Sequence, residues 1–137
     1  MRWSVGGNAA SATLHQLGPG VVYIQSSGGE LVFIPELADA LEAEITAHGR
    51  VVLFVNLLEA TRLSGEARDR WSVWTKKHKQ HSSAHCLVRS KLVDMALSLV
   101  AMFSASDLRS YSDIERFMAA MQQVAPNARL PKLRKVA

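Results

Sequence analysis

The chain has 137 residues, 48% of them hydrophobic and 20% charged, which is typical of one globular domain with a buried core and excludes a disordered chain. Its longest apolar stretch, residues 95–103, is too short to span a bilayer. The single cysteine excludes a disulfide framework within the chain and is typical of a reducing compartment. The first residues contain no apolar region of signal-peptide type, so we predict a cytoplasmic protein. The net charge of +4 comes from four bases in residues 129–135, and we predict a basic, flexible C-terminal tail over residues 126–137.

The first part of the chain is predicted to form strands joined by glycine turns. Short apolar or alternating runs occupy residues 2–5, 12–17 and 21–25, separated by Gly-Gly-Asn at 6–8 and Gly-Pro-Gly at 18–20. Such turns between strand-like runs indicate hairpins, so we expect residues 12–17 and 21–25 to pair in antiparallel fashion.

The middle of the chain alternates between helix and strand patterns. Pro35 suits the first turn of a helix over residues 36–47, and Gly49 is placed to end it. The unbroken apolar run at 51–55 is typical of a central strand that is covered on both faces. A second helix is predicted over residues 66–80, with Trp71 and Trp74 on its core face and basic residues on its solvent side.

The last part continues this alternation. We predict a strand over residues 83–88, a helix over 92–103, a short strand over 108–111 and a helix over 113–124, which starts with a capping box at 112–115. The helix over 92–103 is apolar on nearly all sides, which indicates a second burial surface, either deep core or an oligomer contact.

Strands separated by helices of this length predict crossover connections and therefore a largely parallel sheet. We predict an α/β fold for residues 1–125, with a single mixed, largely parallel sheet of four or five strands and four helices. The order of elements resembles the STAS domain, the fold of bacterial anti-sigma-factor antagonists. Three short motifs add to this resemblance: Gly29-Glu30-Leu31, the strand and turn at 52–57, and Leu63-Ser64-Gly65. The pattern from Trp71 onward is closer to the divergent STAS-like proteins grouped with CRAL-TRIO lipid-transfer domains.

The resemblance implies a non-enzymatic regulatory module that binds a protein partner in a bacterial signalling pathway. In that family a serine at the start of the second helix is phosphorylated by a partner kinase, which releases the bound regulator. Ser64 is the corresponding candidate, although gapless counting places Gly65 on the serine position, and Asn56 stands where the family has an aspartate. The residues that we expect to bind a partner are Glu59, Thr61, Arg62, Ser64, Gly65 and Arg68.

Other interpretations remain open. Ser64 could be a plain helix N-cap. The helix over 95–103 could line a cavity for a lipid or another small hydrophobic ligand, or it could join copies of the chain, as could the acidic residues at 30–59 and the basic residues at 62–91. We expect no nucleic-acid partner and no membrane contact through the tail.

Metal binding and catalysis find little support in the sequence. His78 and His81 fall at a helix end, whereas His85 and Cys86 point to opposite faces of a strand, so we predict no metal site. Cys86 is interpreted as a small core residue. The sequence contains no nucleophile elbow, no phosphate-binding loop and no dinucleotide-binding glycine motif, and we predict no cofactor.

Overall fold

Six strands form the main sheet in the computed structural model, which describes residues 1–4 and 10–133. The sheet order is β1-β2-β3-β5-β7-β8, while β4 and β6 form a separate parallel pair. β1, β2 and β3 are antiparallel, and β3, β5, β7 and β8 are parallel. In chain order the elements are β1 (Arg2–Ser4), β2 (Ser11–Gly18), β3 (Val21–Ser27), β4 (Glu30–Leu31), α1 (Pro35–His48), β5 (Val51–Leu57), β6 (Arg62–Leu63), α2 (Gly65–Lys77), β7 (Ser82–Val88), α3 (Lys91–Ser104), β8 (Asp107–Tyr111) and α4 (Ile114–Val124).

The predicted fold class is confirmed: the sheet is mixed and largely parallel, and four helices accompany it. The main sheet has six strands instead of four or five, because the three residues of β1 pair with β2 at its edge. The antiparallel pairing of β2 with β3 is confirmed as well. The predicted turn at residues 6–8 lies outside the described residues.

The observed helix ends lie within one residue of the predicted ones, except that α2 ends earlier; the cap of α4 also differs from prediction. α2 ends at Lys77 rather than Gln80, because His78 adopts a non-helical conformation (φ −109°, ψ 14°) and the chain then turns, with the His81 N–H donating to the carbonyl of His78 at 2.9 Å. The predicted capping box with Ser112 as its first residue is wrong. Asp113 is the N-cap of α4, and its carboxylate accepts a hydrogen bond from the Glu115 N–H at 2.9 Å, since a carboxylate caps a helix as well as a hydroxyl does.

The helices cover the two faces of the sheet unequally. Along β5 successive side chains point to opposite faces. Leu53 packs in a cluster with Leu41 of α1, and Leu57 packs with Val93 of α3. Phe54 packs on the other face in the cluster that contains α4. Three helices therefore lie on one face and α4 alone on the other. None of the helices in the described part of the chain has the length and apolar character needed to cross a bilayer.

The segment after α4 continues along the face that α4 covers. Ala128, Leu130 and Leu133 are partly buried and pack against the α4 cluster. These apolar contacts attach residues 126–133 to the domain. The division of the chain at residue 125 remains a prediction, and residues 134–137 lie outside the described part of the chain.

Candidate functional site at the start of α2

The candidate site is the loop between β5 and α2, at the edge of the sheet where β3, β5 and β7 all end. One backbone atom anchors it: the carbonyl oxygen of Gly29 accepts hydrogen bonds from the Thr61 N–H at 2.8 Å, the Arg62 N–H at 3.2 Å and the Thr61 hydroxyl at 3.0 Å. The parallel pairing of β4 with β6 continues this attachment. The loop is therefore fixed on its β3 side.

The start of α3 holds the same loop from the opposite side. The Arg89 guanidinium donates from Nε to the carbonyl of Leu58 at 3.2 Å. Ser90, the N-cap of α3, donates from Oγ to the carbonyl of Thr61 at 3.3 Å. Hydrogen bonds therefore hold the loop on both sides.

A buried polar network lies beneath the loop. The Asn56 amide oxygen accepts from the Leu58 N–H at 3.0 Å, and its nitrogen donates to the Tyr23 hydroxyl at 3.1 Å and to Gln25 Oε1 at 3.0 Å. Tyr23 in turn donates to Gln25 Oε1 at 2.7 Å, and burial raises the pKa of its phenol. Asn56 must both donate and accept here, which an amide does and a carboxylate does not.

Ser64 is the N-cap of α2, as its position in the sequence suggested. Its Oγ accepts a hydrogen bond from the Ala67 N–H at 3.1 Å. The Arg68 side chain lies over the first turn of α2: its Nη2 is 3.9 Å from the point where a Cβ atom on Gly65 would lie. The start of α2 therefore combines a half-buried hydroxyl, free helix N–H groups and a guanidinium.

The other predicted site residues surround this turn. Glu59, Thr61 and Gly65 are exposed. Arg62 is exposed too, and its guanidinium lies 3.3 Å from the Glu30 carboxylate. These residues share one short segment with Ser64 and Arg68, and their role in binding remains a prediction.

A cavity of about 100 Å³ lies between the sheet and the helices of the α1–α3 face. Its lining is largely apolar and includes Trp71 and Trp74 of α2 and Leu97 and Val100 of α3. The outward residues of α3 do not reach it, so the prediction that the helix over 95–103 lines a cavity holds for one side of α3 only. Within residues 1–4 and 10–133, the Trp74 indole N–H is buried without a hydrogen-bond partner.

The predicted core role of the tryptophans and of Cys86 is confirmed. Trp71 donates from its indole to the carbonyl of Val32 at 3.3 Å, and Trp74 is buried in the cluster with α1. Cys86 is buried, and this burial, followed by the nearby carboxylate of Asp94, raises the pKa of its thiol to about 12. A thiol in this state is a poor nucleophile and a poor metal ligand.

The histidines occupy separate places. His78 lies 2.9 Å from the Glu42 carboxylate beside α1, whereas His85 Nδ1 lies 2.8 Å from the Tyr111 hydroxyl on the α4 face. Burial, and next the charge of Arg109, lower the pKa of His85. Where the chain is described, no three His, Cys, Asp or Glu side chains come close enough to hold a metal ion.

Two solved structures share this fold. A DUF3478-family protein with a SpoIIAA-like fold from Shewanella loihica matches with a TM-score of 0.60 and 13% identity, over 86% of this chain and 98% of that chain. An anti-sigma factor antagonist from Mycobacterium paratuberculosis matches with a TM-score of 0.57 and 15% identity, over 85% of this chain and 97% of that chain. No protein-family model and no curated protein matches the sequence. The chain therefore has the STAS-like fold that its order of elements suggested.

Proposed function

We propose that the protein is a non-enzymatic regulatory module that binds a protein partner in a bacterial signalling pathway. The contact would use the α2-entry surface, which we define as Glu59, Thr61, Arg62, Ser64, Gly65 and Arg68. One observation carries the proposal: hydrogen bonds to Gly29 and Ser90 fix the loop on two sides, while Glu59, Thr61 and Arg62 remain exposed and Ser64 and Arg68 remain partly exposed. Binding to a preformed loop loses little conformational entropy.

Two further observations support this proposal. A solved structure of the same fold is an anti-sigma factor antagonist, which by its name acts on a protein. The α2-entry surface also carries two guanidinium groups near the positive end of the α2 dipole: Arg62, 3.3 Å from the Glu30 carboxylate, and Arg68, 3.6 Å from the Asp69 carboxylate. Ion pairs this exposed contribute little stability, so carboxylates of a partner can replace them. Such a surface favours a partner with acidic side chains, because complementary charges increase association rates and exclude wrong partners.

We expect the double substitution Arg62→Glu with Arg68→Glu to weaken partner binding by about 10- to 100-fold, because both cations become repulsive towards an acidic partner. Affinity capture from the native cell would identify the partner, and calorimetry with that purified partner would measure the loss. The matched control is Lys76→Glu with Lys79→Glu, which makes the same change in charge at the C-terminal end of α2 and in the turn after it. Equal binding by the two double variants would contradict this surface.

The same assay tests a phosphorylation switch at Ser64. Ser64→Asp retains an N-cap, because aspartate caps a helix as well as serine does, and it adds negative charge beside Arg68. If phosphorylation controls binding, Ser64→Asp changes the affinity, whereas Ser64→Ala loses about 1 kcal/mol of stability through the missing cap and keeps the affinity. Equal affinity of the Ser64→Asp variant and the unchanged protein would exclude the switch.

A second candidate function is the binding of a small apolar ligand, and the cavity on the α1–α3 face favours it. An engineered apolar cavity of about 150 Å³ stays dry and binds benzene, so a space of this kind accepts molecules with few heavy atoms. The unpartnered N–H of Trp74 belongs to a residue of the cavity wall.

Denaturing mass spectrometry of protein purified from the native cell is expected to reveal this ligand. Ala84→Leu should abolish the signal, because the larger side chain fills the space that Ala84 lines. Ala119→Leu, on the exposed side of α4, is the matched control and should retain it. Absence of any bound molecule from the unchanged protein would contradict this second function and leave the first untouched.

A further inference from the structure

α3 exposes a row of large apolar side chains that no other described part of the chain covers. Leu92 is 69% exposed, Met95 65%, Leu99 36%, Met102 70% and Phe103 70%. The opposite side of the same helix is core, since Val93, Leu97 and Val100 are buried. α3 is therefore apolar on two sides, and the outer side lies at the surface of the domain, which excludes deep core as the reason for its composition.

The spacing of the outer row indicates what covers it. Leu92, Met95, Leu99 and Met102 follow one another at intervals of three, four and three residues, which is the a/d pattern of a coiled-coil seam. Phe103 broadens the seam at its C-terminal end. A narrow stripe with this period is complementary to another helix that carries the same stripe.

We propose that the outer face of α3 pairs two copies of this chain, with the two α3 helices antiparallel about a two-fold axis. The pattern is self-complementary in this arrangement. Leu92 of one copy faces Met102 of the other, and Met95 faces Leu99 on each side of the axis. An isologous contact of this kind closes after two copies and yields a dimer rather than a filament.

The available area is sufficient for a modest dimer. Five large side chains with these exposed fractions present on the order of 600 Å² of apolar surface per chain, and their mutual burial would remove on the order of 1,200 Å² from water, at the lower end of specific interfaces. An exposed apolar patch of this size is at the upper limit for a monomeric protein. The area is therefore large enough for association, whereas the affinity depends on how well the two faces pack.

Charge at the helix ends favours the antiparallel arrangement. Lys91 is exposed in the first turn of α3, and the last turn of α3 carries no basic residue to interact with its free carbonyl groups. Antiparallel pairing brings each Lys91 next to the C-terminal turn of the other copy, where a cation is stabilised by the helix dipole. In a parallel pairing both lysines would meet at the same end.

The dimer goes beyond the proposed function and does not depend on it. Sedimentation velocity over about 1–200 µM is expected to show a monomer–dimer equilibrium that high salt leaves in place, because the contact is apolar. Met95→Glu with Met102→Glu should weaken the dimer at least about 100-fold without unfolding the domain, since both side chains are exposed. Ala119→Glu with Gln122→Glu on the exposed side of α4 adds the same charge as the control.

A disulfide experiment tests the orientation. Leu92→Cys chains mixed with Met102→Cys chains should form a mixed disulfide, whereas Leu92→Cys chains alone should not, and the buried Cys86 does not compete. A protein that stays monomeric over the whole concentration range, or a dimer that survives Met95→Glu with Met102→Glu, would overturn the proposal. Binding of the monomer to phosphatidylcholine–phosphatidylglycerol vesicles, lost in the same variant, would assign the face to lipid and overturn it as well.

Discussion

Asn56→Asp is expected to lower the free energy of unfolding by about 2–3 kcal/mol at pH 7, because it places an unpaired negative charge in a buried network. The amide nitrogen of Asn56 donates two hydrogen bonds, to the Tyr23 hydroxyl and to Gln25 Oε1. A carboxylate donates none, so acceptor oxygens would face one another. To relieve this repulsion, the Tyr23 hydroxyl would have to donate to the carboxylate instead of to Gln25 Oε1, and the hydrogen bond of 2.7 Å between Tyr23 and Gln25 would be lost.

The loss of stability in Asn56→Asp should become smaller as the pH falls. Burial without a cationic partner raises the pKa of the new carboxyl group in the folded state, so the folded state binds a proton more tightly than the unfolded chain. The variant therefore regains stability as the pH falls from 7 towards about 4, by at most about 1.4 kcal/mol per pH unit relative to the unchanged protein.

Urea denaturation of the unchanged protein and the Asn56→Asp variant at pH 7 and pH 5 would measure this effect. Asn127→Asp makes the same chemical change at an exposed position and should shift the free energy of unfolding by less than about 0.5 kcal/mol. A variant as stable as the unchanged protein at pH 7 would show that the network accepts a carboxylate and that the amide has no structural role.

The network also shows which parts of the site the sequence could reveal. Ser64 was identifiable as a helix cap, because capping depends on residues within one turn. The partners of Asn56 lie 33 and 31 residues away along the chain, at Tyr23 and Gln25. They meet only because β3 and β5 pair in a register that sets Gln25 opposite Asn56, and no local pattern specifies a register between strands.

The same distinction between local and long-range information applies to the fold. The unbroken apolar run of β5 predicted a central strand, and the pattern of α3 predicted its second apolar side. No sequence pattern predicted that the Gly29 carbonyl anchors the loop, since every residue carries the same backbone carbonyl group. The apolar pattern of α3 suggested a cavity, but its volume and its other walls could not be predicted, because they depend on how well neighbouring side chains fill space.

The C-terminal segment shows how one signal can hide another. Its bases and prolines indicated a flexible tail, while Ala128, Leu130 and Leu133 pack against the α4 cluster. Apolar residues at these intervals were visible among the charges of 129–135. Burial of these side chains contributes free energy that offsets part of the conformational entropy lost when the segment lies against the domain.

Phe54→Ala is expected to have the largest effect on stability, a loss of about 3–5 kcal/mol, which is a large part of the total for a domain of this size. Phe54 is fully buried at the centre of β5. Its ring stacks on His85 with centroids 4.6 Å apart and meets Phe117 edge-on at 5.9 Å. Removal of the ring leaves a cavity between the sheet and α4 that the surrounding strands cannot close.

The substitution should also change the dependence of stability on pH. Burial lowers the pKa of His85, so the unfolded chain takes up a proton first, and stability is lost as the pH falls below about 6.5. In Phe54→Ala water reaches the imidazole, the pKa of His85 returns towards its usual value, and this loss becomes smaller. The slope of stability between pH 7 and pH 5.5 therefore reports the contact between the two rings.

Urea denaturation of dilute protein at both pH values would test both expectations. If Phe54→Ala does not fold, Phe54→Leu can be measured in its place, and it should lower the free energy of unfolding by less than about 2 kcal/mol. Phe103→Ala is the matched control, because Phe103 is 70% exposed on the outer face of α3. It should change the stability of the monomer by less than about 0.5 kcal/mol and weaken only the dimer. Equal losses at the two positions would contradict the assignment of Phe54 to the core and of Phe103 to the surface.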